Sequence, residues 1–155
     1  MPLVLGHECY PVNSAPLAYD IAWARFPYDE EPYEPGSDHH PCLVLNTKVF
    51  TDSTSGHDYA SVQIMYGTSQ NQKDRRPPWD YHKIHNYNAL IECGLWRETY
   101  FCLDRTTRVL WCEEYFPNTD YGTPILGKMP RDHIQALLKL KEVRKSVLDT
   151  IQRQT

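Results

Sequence analysis

The sequence is poor in several features that define large protein classes. It has 7 Gly against 12 Pro in 155 residues, and no stretch approaches the roughly 20 apolar residues that a membrane helix needs. Its 5 Cys include no C-x-x-C pair, which argues against a zinc ribbon and a disulfide framework, so we expect most of them to be reduced and buried. The first residues have neither a basic region nor a sustained apolar stretch. We therefore expect a cytoplasmic protein with no membrane association.

Excess positive charge is also missing from the chain as a whole. The formal net charge is -4, which removes the simplest argument for nucleic-acid binding, a chain that is basic throughout. Residues 128–155, however, contain 7 of the 16 Lys and Arg but only 3 of the 20 Asp and Glu. Any contact with a polyanion must therefore be local, and this basic tail is one place for it.

What the sequence does contain points to a β-rich domain. Its hydrophobic fraction of 41% supports one compact core, so we expect a single domain over 1–155. Apolar and β-branched runs bounded by turn residues predict strands. The runs are YDIAWARFPY, PCLVLNTKVF, SVQIMYG, TYFCLD and RVLWCEEYF. The second and third flank the polar segment DSTSGHD and are typical of a hairpin.

Two segments predict helices. NYNALIECGLW is short and has Gly94 where a helix C-terminus tolerates positive φ. From Pro130 to Gln154 apolar residues recur at helical spacing, with Pro130 and Asp132 in positions that favour a helix start. The apolar stripe drifts around this helix, so part of it is expected to face a partner.

The order of these segments resembles the MazF/PemK family of toxin endoribonucleases. The motifs that carry the resemblance are DIAWARFPY, HPCLVL, VQIMYGTS, TYFCLDRTTRVL and ILGKMPRDHIQALL, together covering about residues 19–145. The resemblance implies a mainly β fold with helices, an SH3-like small barrel over about 19–127, and a C-terminal α-helix over 130–154. It also implies a homodimer that cleaves single-stranded RNA by attack of a ribose 2′-hydroxyl, without metal or other cofactor, and an antitoxin protein that inhibits it.

The resemblance assigns the candidate catalytic residues one at a time. Thr68 and Ser69 match the family's Thr-Ser pair, and Asp104 matches its acidic position. Where the family has an arginine against the scissile phosphate, this chain has His40, which can transfer a proton but presents no bidentate fork to phosphate. Arg105 or Arg108 could supply the missing cation. The alternatives are a polar loop end at 40, an ordinary strand-to-loop turn at 68–69 and a hairpin turn at 104–105.

A loop with cations beside aromatic rings is the candidate RNA-binding segment. The proposed contacts to RNA are Lys73, Arg75, Arg76, Trp79, Tyr81 and Arg108. A solvated loop with aromatic anchors explains the same composition. Two other classes of function also remain open: a binding or regulatory module of a mobile element that has lost catalysis, and a structural protein that assembles through its terminal helix.

Overall fold

The chain folds around one antiparallel β-sheet. The computed structural model describes residues 3–4, 7–70 and 80–154. Its strands are β1 (Leu3–Val4), β2 (His7–Glu8), β3 (Asp20–Ala24), β4 (His40–Thr51), β5 (Asp58–Thr68), β6 (Tyr81–Ile84), β7 (Thr99–Leu110) and β8 (Ile125–Lys128); its α-helices are α1 (Tyr87–Cys93) and α2 (Arg131–Gln154). A 3-10 turn covers Val12–Ser14. The predicted mainly β fold with a C-terminal helix is confirmed.

Six of the strands form the main sheet in the order β6-β7-β5-β4-β3-β8. Within the described residues the outer strands β6 and β8 do not pair with each other, so the sheet is open. It contains bulges between Val44 and Asn46 and between Met65 and Gly67. Because a bulge bends a strand and increases its twist, the sheet is bent at these two positions.

The centre of the sheet is a long hairpin of β4 and β5. Its turn is held by Asp52, whose carboxylate accepts hydrogen bonds from the Ser55 amide and hydroxyl at 3.0 and 2.8 Å. Gly56 follows with φ 73°, a conformation that costs glycine little. The predicted hairpin is therefore present and is closed by turn chemistry visible in DSTSG.

Alternating residues of these strands build two cores on opposite faces of the sheet. Cys42 and Val44 point into the first core, which contains Trp111 and Phe116. Leu43 points into the second, which α1 and α2 cover. All five cysteines are buried and none forms a disulfide, as their spacing predicts.

One strand prediction is wrong. The two strands expected within 99–116 are a single 12-residue strand, β7, which pairs with both β5 and β6. Asp104 and Arg105 lie inside it rather than in a turn, at the register shift of the β5 pairing. The chain stays extended through them because β7 pairs with β6 and β5 before these residues and with β5 after them. The chain after β7 continues into an isolated bridge between Cys112 and Cys9.

Both predicted helices are present. The Asn86 side chain accepts a hydrogen bond from the Ala89 amide at 2.8 Å and caps α1, which ends at Gly94 with φ 72°. Helix α2 buries Leu137 completely. It also contacts the segment at β6 through His133 and Arg144. Within the described residues, no helix is both long and apolar enough to cross a bilayer.

Candidate functional site

A pocket of about 290 Å³ lies where β3, β4, β5 and the loop between α1 and β7 meet. We call it the tryptophan pocket. Its lining residues are Trp23, His39, His40, Pro41, Thr68, Ser69, Gln70, Leu95, Trp96, Arg97 and Thr99. Three of the five predicted catalytic residues, His40, Thr68 and Ser69, are therefore brought together.

The register of the central hairpin explains this meeting. Cys42 pairs with Tyr66 in antiparallel β4 and β5, so continuing the register by two residues places His40 opposite Thr68. Gly67 allows the close approach, since a Cβ there would overlap the carbonyl oxygen of Pro41. Two positions that lie 28 residues apart in the sequence thus become neighbours at one end of the hairpin.

The two hydroxyl residues differ in exposure. Thr68 is buried, and its hydroxyl oxygen accepts a hydrogen bond from the Gln70 amide at 3.1 Å. This arrangement orients the Thr68 hydroxyl, which can donate its hydrogen into the pocket. Ser69 is exposed at the pocket mouth. A phosphate in the pocket can therefore receive hydrogen bonds from both.

His40 is half-buried, with the tryptophan pocket and the Tyr66 ring as its neighbours. Burial is the main cause that lowers its pKa below 6.5, and the positive charge of Arg105 acts in the same direction. Asp38 and a hydrogen bond with the Gly67 backbone oppose the shift. At neutral pH the imidazole is therefore uncharged and can accept a proton.

A hydrogen bond from Arg25 selects the tautomer of His39. Its Nε2 accepts a hydrogen bond from Arg25 Nε at 3.0 Å, so the proton of the neutral ring resides on Nδ1. The His39 ring also packs edge-on against Trp23, with centroids 5.7 Å apart. The pocket thus contains one imidazole able to accept a proton and a second that can donate a hydrogen bond.

Aromatic side chains and one cation complete the pocket, and sequence reasoning missed them. Trp96 is 69% exposed, and its ring centroid lies 6.0 Å from that of Trp23 at an interplanar angle of 49°. The two rings form an open cleft with a face available for stacking. Arg97 follows directly and is exposed. The available signal was the pair Trp-Arg just after the Gly94 helix cap, where loop geometry exposes both side chains.

Asp104 and Arg105 line a different pocket, of about 390 Å³, with residues 26–29 and 32. We call it the arginine pocket. The Arg105 guanidinium stacks over the Tyr66 ring at 3.9 Å, and the ring centroid of His40 is 4.7 Å from that of the same tyrosine. Arg105 is thus connected to the tryptophan pocket through one aromatic ring. Asp104 is exposed and lines only the arginine pocket among the pockets described.

The predicted RNA-binding residues have mixed positions. Lys73, Arg75, Arg76 and Trp79 lie outside the described residues. Tyr81, in β6, packs edge-on against Tyr100 with centroids 5.5 Å apart, and it lines neither pocket.

Arg108 has a structural partner set. Its guanidinium donates to the Ser61 hydroxyl at 3.1 Å and to the side-chain oxygen of Asn46. These bonds tie β7 to β5 and β4, away from the residues of either pocket. Arg108 therefore does not supply the positive charge that is missing where this chain has His40 in place of the family's arginine.

Comparisons with known proteins identify no relative. No protein-family model, no curated protein and no solved structure matches this chain. Among residues 3–4, 7–70 and 80–154, no group of three or more His, Cys, Asp or Glu side chains is placed to hold a metal ion. The geometry of the tryptophan pocket is therefore the basis for any functional conclusion.

Proposed function

We propose that this protein is a MazF/PemK-like endoribonuclease that cleaves single-stranded RNA at the tryptophan pocket without a metal ion. The observation that supports this most strongly is the convergence of His40, Thr68 and Ser69 in one pocket with Arg97 and exposed Trp96. The open, bulged antiparallel sheet with a terminal helix is consistent with an opened form of the small barrel that the family resemblance implies.

The proposed reaction begins with removal of the ribose 2′-hydroxyl proton. His40 accepts this proton, since its imidazole is neutral at physiological pH. The 2′ oxygen forms a bond to the adjacent phosphorus as the bond from phosphorus to the 5′ oxygen breaks. The products are a 2′,3′-cyclic phosphate and a free 5′-hydroxyl.

Charge gathers on the nonbridging phosphate oxygens during this step. The Thr68 and Ser69 hydroxyls donate hydrogen bonds to these oxygens, and Arg97 supplies positive charge at the same pocket. His39 donates from Nδ1 to the leaving 5′ oxygen, which takes its proton finally from solvent. Arg97 and Arg105 together replace the electrostatic role of the family's strand arginine.

The tryptophans give the pocket its preference for single strands. A base stacked on Trp96 must be unpaired, because a duplex does not expose its ring faces. Base–aromatic stacking is worth about 1–3 kcal/mol per base and tolerates different sequences. The net charge of -4 limits the electrostatic contribution, so stacking is expected to provide much of the affinity.

The test is cleavage of a short unstructured RNA by the purified protein in the presence of EDTA. Cleavage is expected to persist with EDTA, to disappear in His40→Gln, and to be absent at a nucleotide whose 2′-hydroxyl is replaced by hydrogen. His57→Gln, an exposed histidine in the turn of the β4–β5 hairpin, is the matched control and should cleave normally. Intact RNA after incubation with the wild-type protein, over a broad set of sequences, would count against the proposal.

The pH profile gives a second, independent readout. Since burial lowers the pKa of His40, cleavage is expected to hold at pH 6.5 and to fall only in more acidic solution. An acid limb centred above pH 6.5 would contradict the role of His40 as the base.

A second candidate is a binding module that retains the fold and the pocket but does not cleave. Two observations favour it: a histidine at the family's arginine position, and Asp104 in the arginine pocket rather than the tryptophan pocket. RNA that quenches Trp96 fluorescence yet stays intact would support this candidate over the nuclease. Homodimer formation and inhibition by an antitoxin are further parts of the family-based proposal, and sedimentation of the purified protein tests the first.

A further inference from the structure

A second pocket, of about 320 Å³, lies between the later turns of α2 and the sheet. We call it the helix pocket. The sheet contributes Leu45, Met65, Leu103 and Thr106, and the helix contributes Lys141, Arg144, Lys145, Leu148 and Asp149. Of the residues that the structure describes, none lines both this pocket and the tryptophan pocket, and the proposed ribonuclease reaction does not use the helix pocket.

The floor of the helix pocket is aliphatic. Met65 and Leu103 are buried side chains of the second core, and Leu45 packs partly against the same core. Among the lining residues that the structure describes, none is aromatic. An aliphatic chain therefore fits its chemistry better than a nucleobase, which prefers a stacking surface.

On the helix side of the pocket, the apolar face of α2 passes from buried to exposed residues. Leu137, Leu148 and Ile151 lie on one face, since spacings of 11 and 14 residues are about three and four helical turns. Leu137 is fully buried, whereas Leu148 is 42% and Ile151 51% exposed. The sheet thus covers the first turns of this face and leaves apolar surface beyond them.

The cations at the pocket differ in burial and in partner. Arg144 Nε donates to the Asp80 carboxylate at 2.8 Å, and Lys145 is exposed to solvent. Lys141 is half-buried and forms no ion pair with another described residue. Burial lowers the pKa of Lys141, which reflects incomplete hydration of its ammonium group.

We propose that the helix pocket binds a small amphipathic monocarboxylate with an aliphatic chain, of the size of a medium-chain fatty acid. The chain occupies the space over Leu45, Met65 and Leu103, and the carboxylate accepts a hydrogen bond from Lys141 Nζ. At roughly 30 Å³ for one water, the pocket holds about ten water-sized groups, which matches a chain of eight to ten carbons. Lys141, the half-buried lysine of the pocket, matches a single negative charge.

The experiment measures binding of decanoate to the full chain by isothermal titration calorimetry. Wild-type protein is expected to bind decanoate at a single saturable site. Lys141→Gln keeps most of the side-chain length, removes the charge, and should weaken binding about tenfold or more. Leu148→Gln removes apolar wall at a partly exposed helix position and should weaken binding as well.

Matched controls separate the pocket from general attraction to charge. Lys139→Gln, on the same helix but outside the pocket, should leave the affinity within about twofold. Decan-1-ol should bind wild type and Lys141→Gln equally, because it carries the chain without the charge. Acetate, which carries the charge without the chain, should not displace decanoate.

Two results would overturn the proposal. One is the absence of saturable decanoate binding by folded wild-type protein, with folding checked by circular dichroism. The other is equal decanoate affinity in wild type and Lys141→Gln. Either result leaves the ribonuclease proposal untouched, because RNA cleavage is measured at the other pocket and in the absence of decanoate.

Discussion

The half-buried histidine pair between β6 and α2 should make the stability of this protein depend on pH. His82 Nε2 and His133 Nδ1 are 3.0 Å apart, so one of these nitrogens must be unprotonated to accept the hydrogen bond. Burial, followed by the charge of His133, lowers the pKa of His82 to about 4, against 6.5 for the free side chain, while Asp132 opposes the shift. The folded state therefore resists protonation at a position that the unfolded chain protonates readily.

The sign and size of the effect follow from linkage. Above pH 6.5 His82 is neutral in both states and contributes no pH dependence. Between pH 6.5 and about 4 the unfolded chain binds more protons, so the free energy of unfolding falls as the pH falls. From these two pKa values, His82 alone should lower the free energy of unfolding by about 2 kcal/mol between pH 7.5 and pH 5.

Urea unfolding at pH 7.5 and pH 5, followed by circular dichroism, measures this difference. Other groups also titrate in this interval. The informative quantity is therefore the change in unfolding free energy between the two pH values in wild type minus the same change in His82→Gln. That difference should be about 2 kcal/mol, whereas His57→Gln, in an exposed turn, should behave as wild type. Equal pH dependence in wild type and His82→Gln would refute the assignment.

Three further predictions use pairs of similar positions or the proposed RNA contact. Leu137→Ala should cost about 2–5 kcal/mol in urea unfolding, because Leu137 is fully buried, whereas Leu138→Ala should cost much less at 43% exposure. Gly56 and Gly94 both have φ near 72°, but a Cβ has open space at Gly56 and overlaps the Leu126 carbonyl at Gly94. Gly56→Ala should thus cost about 1–2 kcal/mol and Gly94→Ala clearly more; equal losses would contradict the packing. Trp96→Ala should weaken RNA binding by about 1–3 kcal/mol in fluorescence anisotropy, and unchanged affinity would exclude stacking there.

Local patterns predicted those elements whose cause is local. Gly94 was predicted to end α1 and does so, because a left-handed residue acts within one turn of the chain. The DSTSG turn joins β4 and β5 for a similar reason, since its hydrogen bonds connect neighbouring residues. The error in β7 has the opposite origin. Asp104 and Arg105 suggest a turn locally, but the residues before and after them pair with strands distant in the sequence, and the strand continues through them.

The candidate site likewise contains residues that the sequence predicted and residues that only the fold reveals. His40, Thr68 and Ser69 were selected through order along the chain, and the hairpin register brings them together. Trp96 and Arg97 were overlooked because nothing in their local sequence indicates that the loop after α1 returns to the end of the hairpin. Gly127 in β8 packs against the backbone of Cys93, and this contact helps to place that loop.

By itself, the sequence determined the β-rich class, the hairpin, the C-terminal cap of α1, the extent of α2 and the burial of the cysteines. Each of these depends on side-chain periodicity or on hydrogen bonds between near neighbours. Only the tertiary structure decided that Asp104 lines the arginine pocket, that Arg105 and His40 both contact Tyr66, and that the end of α2 extends beyond the sheet that covers its start. Those outcomes depend on strand order, bulges and packing between distant segments, which no short stretch of the chain encodes.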